Sequence, residues 1–205
     1  MSLIGKKAPL FSADAVINGN EVVERFTIEQ FNGKKFVVLF FYPFDFSPVC
    51  ANELFAFQQK IAELEKRNVA FIACSVDSVY SHLAWLNTDA ANNGIKGVTF
   101  PLISDFSKTI SMNYDIIGGE FDYNDEDEIV FKGSPFSHRG LFLIDKMGII
   151  RHYLINDIPF GRSVNEAIRM VDALRHFERS GEFLSADWQK GEKGIPSLEL
   201  IPSSI

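Results

Sequence analysis

The chain contains few cysteines, no long apolar run and no excess of positive charge. Its two cysteines, Cys50 and Cys74, are too few among 205 residues for a disulfide framework, which favours a reducing compartment. No segment approaches the roughly 18 consecutive apolar residues of a membrane-spanning helix. The N-terminal residues also lack the apolar core of a signal peptide. We therefore expect a cytoplasmic protein that does not act at a membrane.

The charge balance and the histidines narrow the choice of partners. Lys and Arg number 20 against 27 Asp and Glu, which gives a net charge of −7 and argues against nucleic acid or an anionic membrane as the main partner. The four histidines lack the paired spacing of a metal site: His82, His138, His152 and His176. We expect neither a metal nor another cofactor.

Short apolar runs alternate with helical patterns, as in α/β proteins. Lys34–Pro43 and Val69–Val76 are rich in β-branched and aromatic residues and predict strands buried on both faces. Between them, from Pro48 to about Lys66, apolar residues recur at helical spacing. Further along, the pattern predicts a helix over 79–90 and a hairpin around 146–148. This order predicts a mixed central sheet flanked by helices.

The C-terminal part combines a strongly patterned helix with an irregular tail. Ser163 and Glu166 form a capping box at the start of a helix predicted over 163–179. Residues 181–205 show no clear period. We therefore expect residues 1–180 to form the main domain and residues 181–205 to form an extended arm.

An acidic segment, Gly118–Ser137, precedes the predicted hairpin. It holds six Asp and Glu residues between Glu120 and Glu128. The expected structure is a solvated surface loop, because a run of like charges usually faces water. Calcium would suit this composition, but the spacing of an EF-hand and its glycine are absent.

Cys50 directly follows a Ser-Pro pair at the predicted start of a helix. With Ser47 as the N-cap and Pro48 as the first helical residue, Cys50 falls in the first turn. Unpaired backbone N–H groups and the positive end of the helix dipole would favour a thiolate there. The position also follows a buried strand, at the edge where α/β sheets commonly bind ligands. The spacing alone leaves two interpretations open, an activated nucleophile and a small buried residue.

These residues are part of a longer resemblance. The segment "PFDFSPVC", Pro43–Cys50, is similar to the Pro-x-x-x-Thr/Ser-x-x-Cys motif of the peroxiredoxins. "SVDSVYSHLAW", "FPLISD" and "RGLFLIDKMGIIRHY" resemble further motifs of the two-cysteine, AhpC-like branch and follow in the right order. "ADW" at 186–188 resembles the start of the C-terminal arm of that branch. The resemblance implies a thioredoxin-like fold with such an arm.

The resemblance assigns a role to four residues of the site. Cys50 would be the peroxidatic cysteine, whose thiolate attacks the O–O bond and becomes a sulfenic acid. Ser47 would donate or relay a hydrogen bond to the peroxide, and Pro43 would shield the thiolate from water. Arg139 would lie beside the sulfur and stabilise charge on the peroxide oxygens in the transition state.

Three further residues would support this site. Glu53, one turn after Cys50, would orient a cluster of arginines, and Arg151 would belong to that cluster. Trp85 would pack near the active site. These roles are implied by the resemblance and not by spacing.

The sequence departs from that branch at the resolving cysteine. In the arm the aligned segment reads "GEFLSADW", so Leu184 stands where the branch carries its second cysteine. Cys74 lies in a predicted central strand, and a buried strand thiol would need a large rearrangement to reach Cys50. We expect Cys74 to be a small core residue. The segment 93–96 lacks the Gly-Gly-Leu-Gly sequence of relatives that over-oxidise easily, which speaks against a sensor of that kind.

Two main functions remain open. The first is a thiol-dependent peroxidase for hydrogen peroxide and alkyl hydroperoxides, which uses Cys50 alone and is re-reduced by an external thiol. That thiol would be thioredoxin-like, glutaredoxin-like or glutathione. The second is a chaperone-like or redox-relay assembly with little turnover, and Leu184 also keeps open a degenerate protein without turnover. The intact motif residues favour the peroxidase. The resemblance further implies a homodimer and, often, a decamer of five dimers.

Overall fold

The computed structural model describes residues 2–196 of the chain. The chain divides into two compact units, Met1–Arg162 and Ser163–Ile205. The first unit holds the strands of both sheets, and the second holds the last helix and the described part of the arm. The predicted boundary at residue 180, between a main domain and an arm, stays a prediction.

The first unit is built on a seven-stranded mixed sheet, accompanied by a separate two-stranded sheet. The strands are β1 (Ala13–Ile17), β2 (Glu21–Phe26), β3 (Phe36–Phe41), β4 (Val69–Ser75), β5 (Leu102–Ser104), β6 (Ile117–Tyr123), β7 (Ile129–Ser137), β8 (Arg139–Ile144) and β9 (Ile150–Asn156). The order in the large sheet is β2-β1-β5-β4-β3-β8-β9. Its strands β3, β4 and β5 run parallel, and the other neighbours are antiparallel. This is the mixed sheet that the apolar runs predict.

The strand β3 lies in the interior of the large sheet, between β4 and β8. All of its residues, Phe36–Phe41, are buried, and β4 and β8 pair with its two edges. The ring of Phe40 packs against Phe57 and Phe71, with centroids 5.0 and 5.5 Å away. The carboxyl end of β3 leads directly into residues 42–47. A rigid, fully paired strand therefore fixes where that segment begins.

The helix predicted from Pro48 to about Lys66 is two helices in the structure. Lys60 adopts φ −107° and ψ 3°, and its N–H bonds to the carbonyls of Phe57 and Gln58, which tightens the chain and ends the first helix. No helix among residues 2–196 is long and apolar enough to cross a membrane. The helices are α1 (Pro48–Gln59), α2 (Ile61–Glu65), α3 (Val79–Asn87) and α4 (Thr109–Asn113), and α5 (Val164–Ser180) in the second unit.

The acidic segment 118–137, expected as a solvated loop, is instead a β-hairpin of β6 and β7. Phe121 lies directly opposite Phe131, with ring centroids 5.0 Å apart, so both rings share one face. On the other face, Lys132 pairs with Asp122 at 2.6 Å. Apolar and charged residues alternate here with the period of a strand. The many acids obscured that alternation in the sequence.

In the second unit, α5 has the capping box that the sequence predicts. The Ser163 hydroxyl accepts a hydrogen bond from the backbone N–H of Glu166 at 3.2 Å. The helix ends at Gly181, whose φ of 70° is the left-handed conformation that glycine adopts freely. The described part of the arm contains neither helix nor strand, but Phe183 and Ile195 form an antiparallel bridge. The end of the predicted arm lies outside the described residues.

Candidate active site

The candidate site begins where β3 ends and finishes in the first turn of α1. Ser47 is the N-cap of α1, Pro48 is its first residue and Cys50 is its third, as the Ser-Pro pair predicts. The Ser47 hydroxyl makes no capping hydrogen bond to the backbone N–H groups of α1. Pro43 and Cys50 are both buried, and Cys50 is a free thiol.

Arg139 reaches Cys50 from the neighbouring strand. It is the first residue of β8, which is antiparallel to β3, so it lies at the same edge of the sheet as the carboxyl end of β3. Its side chain is 1% exposed, and Nη1 lies 3.4 Å from Cys50 Sγ. Its Nε donates to the carbonyl of Ile158 at 2.6 Å. These contacts hold a buried cation next to the sulfur.

Glu53 lies one turn after Cys50 on the buried face of α1 and binds two arginines. Arg139 Nη1 donates to Oε2 at 2.6 Å. Arg162 donates to Oε1 from its backbone N at 2.7 Å and from Nε at 2.9 Å, and to Oε2 from Nη2 at 3.0 Å. The carboxylate therefore holds both guanidinium groups, and the arginine cluster consists of Arg139 and Arg162.

Arg162 is a site residue that the sequence patterns did not indicate. Its Nη1 donates to the carbonyls of Phe41 and Gly140 at 2.7 and 2.6 Å, and its guanidinium carbon lies 3.3 Å from the centroid of the Phe40 ring. Burial lowers the pKa of Arg162 to about 10, so the side chain stays charged at neutral pH. The charges of the site could have indicated that a second cation is needed beside Arg139, because a buried Glu53 and a thiolate together carry two negative charges. They do not indicate which residue supplies it.

Arg151 does not belong to this cluster, and the structure corrects that expectation. Its Nε donates to Asp145 Oδ2 at 2.6 Å, and its side chain is 45% exposed. Arg151 lies near the start of β9, whereas Arg139 pairs with Asn156 at the end of that strand. Since an extended strand rises about 3.3 Å per residue, the two arginines lie at opposite ends of the strand pair. The second arginine of the cluster is Arg162.

Trp85 packs against the segment that joins β3 to α1. Its buried ring has its centroid 5.8 Å from that of Tyr42 and 5.9 Å from that of Phe46. Its Nε1 donates to the carbonyl of Asn93 at 2.6 Å. This placement agrees with the position that the resemblance implies, and the supporting role stays a prediction.

The second thiol, Cys74, lies in the apolar core. It is fully buried in β4, opposite Phe41 of β3 and Ile103 of β5. Burial raises the pKa of the Cys74 thiol well above its usual value, and the nearby charge of Asp105 adds to the rise. Leu184, which the resemblance aligns with the resolving cysteine, is half-buried in the second unit, and that alignment stays a prediction.

Two of the four histidines contact carboxylates. Among residues 2–196, no group of three or more His, Cys, Asp or Glu side chains could hold a metal ion. His82 Nδ1 lies 2.9 Å from Asp45 Oδ2, and His176 Nε2 lies 2.7 Å from Glu182 Oε2. These two histidines thus form pairs with single carboxylates.

Comparison with known proteins decides the family. The sequence profile of the AhpC/TSA family matches residues 4–153. The chain belongs to the AhpC/TSA family. Alkyl hydroperoxide reductase C of Helicobacter pylori is 42% identical over 193 residues, which cover 94% of this chain and 90% of that protein. The chloroplastic 2-Cys peroxiredoxin BAS1 of Spinacia oleracea is 40% identical over 195 residues, which cover 95% of this chain and 68% of that protein.

Solved structures of AhpC/TSA proteins resemble this chain as well. The reduced 2-Cys peroxiredoxin of Plasmodium vivax matches with a TM-score of 0.84 at 40% identity, over 95% of this chain and 93% of that one. The AhpC of Enterococcus faecalis matches with a TM-score of 0.76 at 29% identity, over 90% and 99%. These likenesses confirm the expected thioredoxin-like α/β fold. The family confirms the expectation of a peroxiredoxin, a thiol-dependent peroxidase and oxidoreductase.

Proposed function

We propose that this AhpC/TSA protein reduces hydrogen peroxide and alkyl hydroperoxides with Cys50 as its only nucleophile. The observation that carries the proposal is the position of the sulfur, in the first turn of α1 and 3.4 Å from Arg139 Nη1. The charges of Arg139, Arg162, Glu53 and a Cys50 thiolate sum to zero, so the buried cluster is balanced when Cys50 is ionised. The thiolate is the nucleophilic form of cysteine.

In the first step the Cys50 thiolate attacks the terminal oxygen of ROOH. An S–O bond forms as the O–O bond breaks, which gives Cys50 sulfenic acid and RO⁻, and RO⁻ takes up a proton and leaves as ROH. Arg139 stabilises the negative charge that develops on the departing oxygen. The Ser47 hydroxyl donates a hydrogen bond to a peroxide oxygen, and Pro43 shields the thiolate from water. Trp85 supports the segment that carries these residues.

In the second step an external thiol restores the enzyme. One thiol condenses with the sulfenic acid to give a mixed disulfide and water, and a second thiol releases Cys50 and leaves as the oxidised disulfide. The reductant is a thioredoxin-like or glutaredoxin-like protein, or glutathione. Leu184 occupies the place of a resolving cysteine, and Cys74 is enclosed by the core. The cycle passes two electrons from thiols to peroxide and needs no metal, haem or flavin.

The proposed assembly is a homodimer, with a decamer of five dimers as the larger form that the resemblance implies. In the sheet order β9 is an edge strand, and such an edge offers unpaired backbone groups to a second chain. Residues 1–180 form the peroxidase domain in this proposal, and residues 181–205 form an arm that packs on the partner subunit. The proposed location is the cytoplasm.

Peroxide consumption by three forms of the protein tests the proposal. The wild type, Cys50→Ser and Cys74→Ser are each assayed with a thioredoxin system and with glutathione. We expect Cys50→Ser to show no turnover, Cys74→Ser to match the wild type, and non-reducing gels to show no disulfide-linked dimer. Turnover without Cys50, or a disulfide between Cys50 and Cys74, would contradict the one-cysteine cycle. A wild type that consumes no peroxide but prevents client aggregation would favour the chaperone-like alternative.

A further inference from the structure

The turn between β3 and α1 contains a strained residue. Phe46 has a φ of 59°, the left-handed region that is unfavourable for a residue with a large side chain. Such a conformation persists where neighbouring contacts hold it in place. Because Phe46 directly precedes the N-cap Ser47, a relaxation of Phe46 would also move Cys50.

Asp45 directly precedes Phe46 and makes several hydrogen bonds that hold the turn in this conformation. Its Oδ1 accepts a hydrogen bond from the Tyr42 hydroxyl at 2.9 Å, and its Oδ2 accepts from the Ser81 hydroxyl at 2.8 Å. His82 Nδ1 lies 2.9 Å from the same Oδ2. The backbone N–H of Asp45 donates to Asp77 Oδ2 at 2.8 Å. Both the side chain and the backbone of Asp45 are therefore fixed.

His82 ties this carboxylate to α3 and to the sheet. The His82 side chain is 0% exposed and that of Asp45 is 1% exposed. His82 Nε2 lies 3.3 Å from the carbonyl oxygen of Ile103 in β5, so both ring nitrogens face acceptors. Burial raises the pKa of Tyr42, so its hydroxyl keeps its proton and remains a donor to Asp45.

We propose that Asp45 and His82 are positioning residues that lock the active-site turn onto α3 and so hold Cys50 beside Arg139. Their hydrogen bonds go to the turn, to α3 and to β5, and they act on Cys50 through Phe46 and Ser47. Without His82, the buried Asp45 carboxylate loses its contact with the His82 ring, and the turn opens to hydrate the carboxylate. The kinetic consequence of the lock rests on the proposed function, whereas the exposure of Cys50 does not.

The test compares two substitutions of His82. His82→Leu removes both ring nitrogens and leaves an apolar side chain of similar size, while His82→Asn keeps an amide donor close to the place of Nδ1. Single-turnover oxidation of Cys50 by hydrogen peroxide is measured together with alkylation by a bulky maleimide, mapped by mass spectrometry. We expect His82→Leu to slow oxidation by about 100-fold, the loss typical of a misplacement of about 1 Å. The same variant should speed alkylation of Cys50, and His82→Asn should recover most of both properties.

Cys74 serves as an internal control, because its thiol is buried among apolar side chains of the core. Local opening of the turn exposes Cys50 and leaves Cys74 protected. The proposal is overturned if both thiols become reactive together, because the pair would then only stabilise the whole fold. It is also overturned if His82→Leu matches the wild type, or if His82→Asn is no better than His82→Leu.

Two further variants serve as a replacement for His82→Leu and as a control. If His82→Leu does not fold, Asp45→Asn replaces it. The amide oxygen still accepts from Tyr42, while the amide nitrogen at the place of Oδ2 cannot accept from Ser81 or His82. His176→Leu breaks another short histidine–carboxylate pair, in the second unit, and should leave both rates unchanged. A wild type that does not react with peroxide would refute the proposed function. The alkylation of Cys50 and Cys74 would then decide the lock by itself.

Discussion

Cys50 and Cys74 are both fully buried in the first unit, but their surroundings suit opposite chemistry. Cys50 Sγ lies in the first turn of a helix, 3.4 Å from a guanidinium nitrogen of Arg139. Cys74 lies inside β4 among apolar side chains, and burial raises the pKa of its thiol. Burial by itself disfavours the charged form of a thiol, whereas a buried cation supplies the charge that a thiolate needs.

The charged groups around Cys50 are held in place by one another. Next to Cys50, Glu53 holds Arg139 and Arg162 in fixed positions, so the cations cannot turn away to water. This arrangement requires three charged side chains to be buried together, which is stable only while each has its partner. The comparison between the two cysteines can therefore be tested by removing one charge at a time.

Removal of the cation beside Cys50 should have the largest effect. Arg139→Leu should lower the second-order rate constant for hydrogen peroxide by about 10²–10³-fold, because one preorganised donor contributes about that much. Arg139→Lys keeps the charge but loses the fork of donors and should recover part of the rate. Stopped-flow kinetics give the rate constants. Arg151→Leu is the matched control, since Arg151 binds Asp145 away from the site, and its rate should equal that of the wild type.

Neutralising the carboxylate of the cluster should mainly affect stability. In Glu53→Gln two buried guanidinium groups lose their counter-ion, so the free energy of unfolding should fall by about 3 kcal/mol. Urea denaturation measures the change. Glu63→Gln removes an exposed partner of Lys60 and should give no measurable difference. Equal losses in the two variants would show that Glu53 does not support the cluster as described.

The apolar surroundings of Cys74 should produce a smaller effect that depends on pH. Above the ordinary thiol pKa of about 8.5, Cys74 ionises in the unfolded chain, while the folded protein keeps it protonated because its pKa is raised. The contribution of the protonated Cys74 thiol to the free energy of unfolding is fully present below that pH. It is lost as the pH rises toward the pKa of the thiol in the folded protein. Wild-type stability should therefore fall more steeply than that of Cys74→Ala, by up to about 1.4 kcal/mol per pH unit.

Urea denaturation over a pH series measures this slope, with Cys50→Ser as the background of both forms so that only one thiol titrates. Identical slopes with and without Cys74 would contradict the raised pKa. They would also remove the contrast between the two cysteines.

The parts of the site that depend on local chain chemistry could be predicted from the sequence. Ser47 and Pro48 start a helix by their own backbone preferences, which places Cys50 in the first turn, and the apolar run before them predicts the buried strand β3. Arg162 could not be placed in this way. It meets Glu53 across 109 positions of sequence, and an irregular segment carries no periodic pattern that would signal the contact.

Two other features were hidden for different reasons. The hairpin of β6 and β7 alternates like any strand pair, but its acidic residues suggested a solvated loop. The pairing of Asp45 with His82 joins two separate motifs of the sequence, and only the fold brings the motifs together. Side chains that act together across the fold leave no local signature, whereas caps and buried strands do.

Trapping of the sulfenic acid distinguishes the two cysteines, because it shows which sulfur the peroxide oxidises. The protein receives one equivalent of hydrogen peroxide in the presence of a dimedone-type trap, and mass spectrometry locates the adduct in the wild type and in Arg139→Leu. We expect an adduct on Cys50 alone, strongly reduced in Arg139→Leu at equal reaction time. An adduct on Cys74, or an unchanged yield on Cys50 without Arg139, would contradict it.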